Sequence, residues 1–140
     1  MKHLFLDTNI LIDFLADRKP HSTEAAKIFN YSLHKKVRLY VAAVSINNIY
    51  YILRQSLTHS ATIKVLHELT EWAEIIAVTD DNIKKSLSSD FKDFEDAIQY
   101  HCAKSNSKMD SIVTRNTKDF RHSSISVMTP IEALILIESL

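Results

Sequence analysis

Leu4-Phe5-Leu6-Asp7-Thr8-Asn9-Ile10-Leu11-Ile12-Asp13 changes its period halfway along. Three apolar residues lead to the carboxylate of Asp7. After a short polar step, apolar side chains return at Ile10, Leu11, Phe14 and Leu15 with helical rather than alternating spacing. A buried strand ending at Asp7, followed at once by a helix, accounts for the switch. Asp7 then stands at the carboxyl end of a strand, where open α/β sheets place their ligands. The competing reading makes Asp7 only the cap of the next helix, a position that Asp favours.

Outward from this stretch the same alternation continues. Lys2 to Leu6 reads as a strand and Asn9 to Ala16 as a helix closed by Pro20; a second helix runs from Ser22 to about Lys35. Val37 to Ala43 is a β-branched and aromatic run. Ser45 is the expected cap of a third helix through Leu53, and Ser60 starts a fourth whose stripe of Ile63, Leu66, Leu69 and Trp72 faces the core. Ile75 to Val78 is the third strand. Thr79-Asp80-Asp81 opens a helix to about Ser88, and another begins near Asp93 and carries Ala97, Ile98 and Ala103. Strands follow at Ser111 to Thr114 and Ile125 to Met128. Thr129-Pro130 then opens a last helix with a cap and a first-turn proline. Strands alternating with helices imply a parallel sheet covered on both faces.

Composition narrows the function. The 140 residues, 46% of them hydrophobic, suit one domain with a sizeable core, and no repeat or linker divides them. Seventeen basic and seventeen acidic side chains cancel, so a site for a polyanion must be local. The single cysteine, Cys102, cannot pair internally and falls in a helical pattern; with no signal-peptide pattern and no membrane-spanning run, a cytoplasmic protein is expected. The chain has no glycine, which excludes the Gly-rich phosphate loops of nucleotide-binding folds.

The acids carry the chemistry. Asp7 closes the first strand, Asp93 and Asp96 share a face at the start of a helix, and Asp119 follows the fourth strand. All four gather along one edge of the expected sheet. Crowded carboxylates raise one another's pKa unless a cation neutralises them. An oxygen-only donor set points to Mg²⁺ or Mn²⁺, and the seven histidines are scattered without paired ligand spacing.

Leu6-Asp7-Thr8-Asn9-Ile10-Leu11-Ile12-Asp13, Asp93-Phe94-Glu95-Asp96-Ala97-Ile98-Gln99 and Ile112-Val113-Thr114-Arg115-Asn116-Thr117-Lys118-Asp119-Phe120 resemble the three acidic motifs of the PIN-domain family, which includes the VapC-like toxins of bacterial toxin–antitoxin pairs. Their order and spacing span nearly the whole chain. The resemblance implies a three-layer α/β/α sandwich around a parallel five-stranded sheet of order 3-2-1-4-5. It also implies Mg²⁺- or Mn²⁺-dependent ribonuclease activity on RNA, a small antitoxin partner and a homodimer. Asp7, Asp96 and Asp119 would hold the metal, with Asp93 in support.

One position departs from the family. The helix after the second strand usually carries a glutamate, and Asn48 stands there, within Ser45-Ile46-Asn47-Asn48-Ile49. An amide offers an oxygen without negative charge. Metal affinity should fall, with Glu95 and Asp93 as nearby acids able to compensate. The alternative is therefore a catalytically weakened PIN domain that binds RNA or protein. An aspartate-phosphorylating phosphatase ranks third, since such enzymes want a second Asp two residues after the first and Asn9 is there.

Around the acids, Thr8, Asn9, Thr114 and Asn116 supply hydroxyl and amide groups suited to orienting them or a phosphate. Arg115 and Lys118 are the candidate phosphate contacts, with Lys35, Lys36 and Arg38 extending the track. Tyr50, Tyr51 and Trp72 sit at helical spacing among apolar residues. They are expected in the core or at a dimer face.

Overall fold

Leu4, Phe5 and Leu6 are apolar in succession, so neither face of their strand tolerates water, and all three are fully buried. In the computed structural model, which describes residues 1–140, this strand is β1 (Lys2–Leu6) and lies at the centre of the sheet. The remaining strands are β2 (Val37–Ala42), β3 (Ala73–Ile76), β4 (Ser111–Val113) and β5 (Ser126–Met128). All pairings are parallel, in the order β3-β2-β1-β4-β5 that the resemblance implied. Leu4 sits opposite Leu39 on one side and Ser111 on the other.

Alternation along β1 divides the core in two. Leu4 and Leu6 point into the larger apolar cluster with α1 (Thr8–Leu15), α2 (Ser22–Leu33), α3 (Ala43–Leu53), α4 (His59–Trp72) and α7 (Pro130–Glu138). Phe5 points the other way, to Tyr100, Cys102 and Ala103 of α6 (Phe94–Lys104) and to Phe120. The helix α5 (Asp80–Leu87) packs outside α6, burying Asn82 and Ser86. The layers are therefore helix, sheet and helix, as expected.

Two expected caps form complete capping boxes. Thr79 pairs reciprocally with Asn82, and Thr129 with Glu132 ahead of Pro130 at the helix start. Most boundaries fall within a residue or two of the sequence reading, and two of the differences change what a residue does. The third strand starts at Ala73, directly from α4, because its ladder with β2 runs from Leu39–Ala73 to Ala42–Ile76; Val78 lies outside it. It is an edge strand, and its exposed Glu74 and Ile75 blur the apolar pattern. Likewise α3 starts at Ala43, so Ser45 is inside the first turn and buried rather than a cap.

Candidate active site

The backbone of Asp7 both ends a strand and opens a helix. Its N–H donates to Val113 O at 3.0 Å, continuing the ladder to β4, while its carbonyl accepts from Ile10 and Leu11 of α1. Its side chain makes no capping hydrogen bond, so the plain-cap reading fails. Oδ1 instead accepts from Gln99 Nε2 at 3.0 Å, and Oδ2 from Thr114 Oγ1 at 2.7 Å. Gln99 and Thr114 are themselves fully buried. Burial pushes the Asp7 carboxyl above its ordinary range; the bonds from Thr114 and Gln99 oppose that, and the Glu95 charge adds to it.

A second layer locks these groups. Gln99 Oε1 accepts the Thr8 N–H at 3.1 Å, which fixes the amide so that Nε2 faces Asp7. Thr8 Oγ1 donates to Glu95 Oε2 at 2.8 Å and lies 2.7 Å from Ser45 Oγ. With its only proton given to Glu95, Thr8 accepts from Ser45. One hydroxyl thus ties α1 to α3 and α6. Asn48 lies three residues beyond Ser45 and so shares its helix face.

The other acids stand nearer solvent. Asp93 is the N-cap of α6, its Oδ1 accepting the Asp96 N–H at 2.9 Å. The Asp96 carboxyl is pushed up to about 7, chiefly by burial and then by the charges of Asp7, Asp93, Asp119 and Glu95. Asp119 is held in a short 3-10 helix, Thr117–Phe120. Asp93, Asp96 and Asp119 share the lining of a cavity of about 170 Å³ with Lys118.

These residues fit a hard divalent cation by their chemistry. The donors are all oxygens, the negative charges reinforce one another at Asp96, and Asn9 Oδ1 is a buried acceptor with no hydrogen-bond donor. No three acidic, histidine or cysteine side chains are close enough to form a ready-made cage, so the carboxylates would have to turn inward to share an ion.

The remaining predicted residues divide. The Asn116 N–H donates to Thr114 Oγ1 at 3.0 Å and so steadies the hydroxyl that holds Asp7. The Arg115 guanidinium is engaged by Asp13, with Nε to Oδ2 at 2.6 Å and Nη2 to Oδ1 at 3.3 Å. Asp13 is 1% exposed, so that cation is spent on a buried charge. Lys35 and Arg38 do not extend a track from the acids. They lie with Met1 at the opposite edge, since residues 35–38 enter β2 at its amino end. Trp72 packs edge-on against Phe14 and Phe29, Tyr50 edge-on against Tyr51, and Tyr51 stays exposed. Burial raises the Cys102 thiol to about 11, which leaves it inert.

Gln99 is the residue to which the sequence reading gave no role. Its spacing of three from Asp96 and four from Glu95 puts all three on one face of α6, which is the available signal.

Comparison with known proteins bears on the family and the fold. A family model described as PIN domain matches residues 3–118. The chain is 25% identical over 131 residues to Ribonuclease VapC1 of Aquifex aeolicus, covering 90% of this chain and 89% of that one. VapBC-1 from nontypeable Haemophilus influenzae superposes with a TM-score of 0.68 at 18% identity, over 92% of this chain and 98% of that one. A toxin–antitoxin complex from Klebsiella pneumoniae superposes with a TM-score of 0.64 at 24% identity, over 91% and 97%. These two likenesses concern the fold. No helix here is long and apolar enough to cross a membrane.

Proposed function

The chain belongs to the PIN-domain family, and from that premise we propose that it is a Mg²⁺- or Mn²⁺-dependent endoribonuclease, the toxin of a toxin–antitoxin pair. The relative named Ribonuclease VapC1 supports the reaction, and the likeness to a toxin–antitoxin complex supports the pairing. The observation that carries the reading is the convergence of Asp7, Asp93, Asp119 and Glu95 on Asp96, whose carboxyl is pushed up to about 7 by burial first and then by their charges.

Asp7, Asp96 and Asp119 would hold the cation, with Asp93 in support. When bound, a divalent ion supplies charge neutralisation at the scissile phosphate and a more acidic attacking water. The protein's own part is to hold carboxylates ready. Thr114 and Gln99 pin both oxygens of Asp7, and Asn116 pins Thr114. The amino ends of α1 and α6 meet these acids and favour negative charge there. Lys118 stands ready for a phosphate, and Asn9 offers its unpartnered oxygen.

Asn48 favours the second reading, a weakened domain that binds RNA or protein without turnover. Glu95 argues for the enzyme. Held by Thr8, it brings to the Asp7 side of the site the negative charge that Asn48 lacks. A homodimer, a small antitoxin over the acidic edge and a cytoplasmic setting complete the proposal.

End-labelled single-stranded RNA incubated with purified protein in Mg²⁺, Mn²⁺ or EDTA tests it. Cleavage in either metal and none in EDTA is expected. Metal binding by calorimetry without cleavage of any RNA offered would favour the binding module.

A further inference from the structure

The cavity beside the acids has a second wall, of which the proposed function uses only Lys118. Lys92, Lys118, Arg121 and His122 line the same 170 Å³ as Asp90, Asp93, Asp96 and Asp119. Opposite charges in so small a volume would ordinarily pair. The ion pairs of this protein are Lys19–Asp17, Lys84–Asp80, Lys85–Asp81 and Arg115–Asp13, and none belongs to the cavity. Acids and cations therefore face one space while staying more than a contact apart.

The walls are held apart by the fold. Phe91, beside Lys92, stacks on Tyr100 at 5.1 Å and meets Phe120 and His122 edge-on at 6.0 and 6.2 Å. Phe120, between Asp119 and Arg121, is fully buried. The Tyr100 hydroxyl lies 3.0 Å from Ser124 Oγ and accepts the Ser124 N–H at 3.1 Å, tying down the chain just after His122. Arg121 Nε donates to His122 Nε2 at 3.4 Å. Two segments distant in sequence, 90–93 and 118–122, thus share one aromatic floor, and each contributes both signs of charge. The space equals roughly five or six waters, enough for a phosphodiester group between the two walls.

We propose that Lys92, Lys118, Arg121 and His122 form a subsite for an RNA backbone phosphate next to the one that meets the acids. This rests on the ribonuclease reading and adds to it the register of the strand. RNA crosses from the cationic wall to the carboxylates, so the cut falls beside an anchored phosphate. Arg121 suits two-point contact with phosphate oxygens, and Lys92 and Lys118 act as point charges. Arg115, spent on Asp13, takes no part.

The test is fluorescence anisotropy of a labelled single-stranded RNA hexamer in Mg²⁺ across a salt series, on an Asp7→Asn background that stops turnover and changes no residue lining the cavity. Lys92→Ala and Arg121→Ala should each weaken binding about 3- to 10-fold and lower the slope of log affinity against log salt by about 0.7. Arg121→Lys should keep the slope while binding more weakly, and Lys64→Ala on α4 should change neither. Wild-type slope and affinity in both alanine variants, with wild-type protein still cutting RNA in Mg²⁺, would overturn the subsite alone. Wild-type protein that neither binds nor cuts RNA would remove the ribonuclease reading and the subsite with it.

Discussion

The two edges of one sheet carry similar side chains and very different chemistry. At the amino edge, a cavity of about 530 Å³ is bordered by Lys35, Arg38, Glu71 and Glu74, all exposed to water. At the carboxyl edge the cavity is about 170 Å³, but behind it lie Asp7, Thr114 and Gln99, buried and bonded to one another. Size is therefore a poor guide to the site. In a parallel sheet every strand ends, and the following helix begins, on the carboxyl side, so helix amino ends and first-turn acids collect there. Water screens the charges of the amino edge, while burial makes those of the carboxyl edge act on each other.

The largest effect that separates the edges is catalytic. Asp7→Asn should reduce metal-dependent RNA cleavage by about a thousandfold, since it removes a ligand charge at the reacting phosphate. Glu74→Gln at the other edge should stay within about twofold in the same assay, as an exposed charge far from the site contributes little. Comparable losses from both would show that the amino edge takes part.

Next comes stability. Arg115→Ala leaves Asp13 buried without its cation and should cost about 2–3 kcal/mol, a fall of roughly 10 °C in Tm by calorimetry. The exposed Lys84–Asp80 pair gives the contrast, and Lys84→Ala should move stability by less than about 0.5 kcal/mol.

Asp96 sharpens the contrast with pH. Its folded pKa of about 7 lies above the 3.8 of the free side chain, so between those values the folded chain holds a proton that the unfolded chain has released. Metal-free protein should lose stability as pH rises from about 4 to about 7 and then level off. Because the side chain is only half buried, the loss discounts to about 1–2 kcal/mol. Asp96→Asn should flatten the curve and raise Tm above pH 7; an unchanged pH profile in that variant would place the titration elsewhere.

The smallest effect concerns the substitution in α3. Glu95→Gln should weaken Mn²⁺ binding about tenfold in a calorimetric titration, and Asn48→Glu on that background should recover most of the loss. Asn48→Glu alone should change affinity by a few-fold at most. A large gain from it alone would mean that Glu95 does not supply the missing charge.

Much of this was legible in the residues, and the legible part is local. The change of period at Asp7, the capping boxes of Thr79 and Thr129, and the acids at strand ends and helix starts follow from a few neighbouring side chains, because dihedral preference and burial periodicity are short-range. These suffice to bring Asp7, Asp93, Asp96 and Asp119 to one edge. The edge strand β3 was misplaced by two residues because one-sided pairing leaves a weaker pattern. Lys35 and Arg38 precede and begin β2, so in a parallel sheet they belong at its amino end, away from the acids; expecting them beside the acids overlooked a polarity that the sequence already carries.

What tertiary structure alone decided is who holds whom. Gln99 reaches Asp7 across 92 positions, Thr8 reaches Glu95 across 87, and Arg115 turns to Asp13 across 102 instead of to a phosphate. Such pairings depend on sheet register, helix rotation and the rotamers left by packing, and no window of neighbouring residues contains them. Neighbouring residues are enough to say which edge carries the acids; only in the folded chain is it settled which of the charges there are already satisfied and which are left free for a ligand.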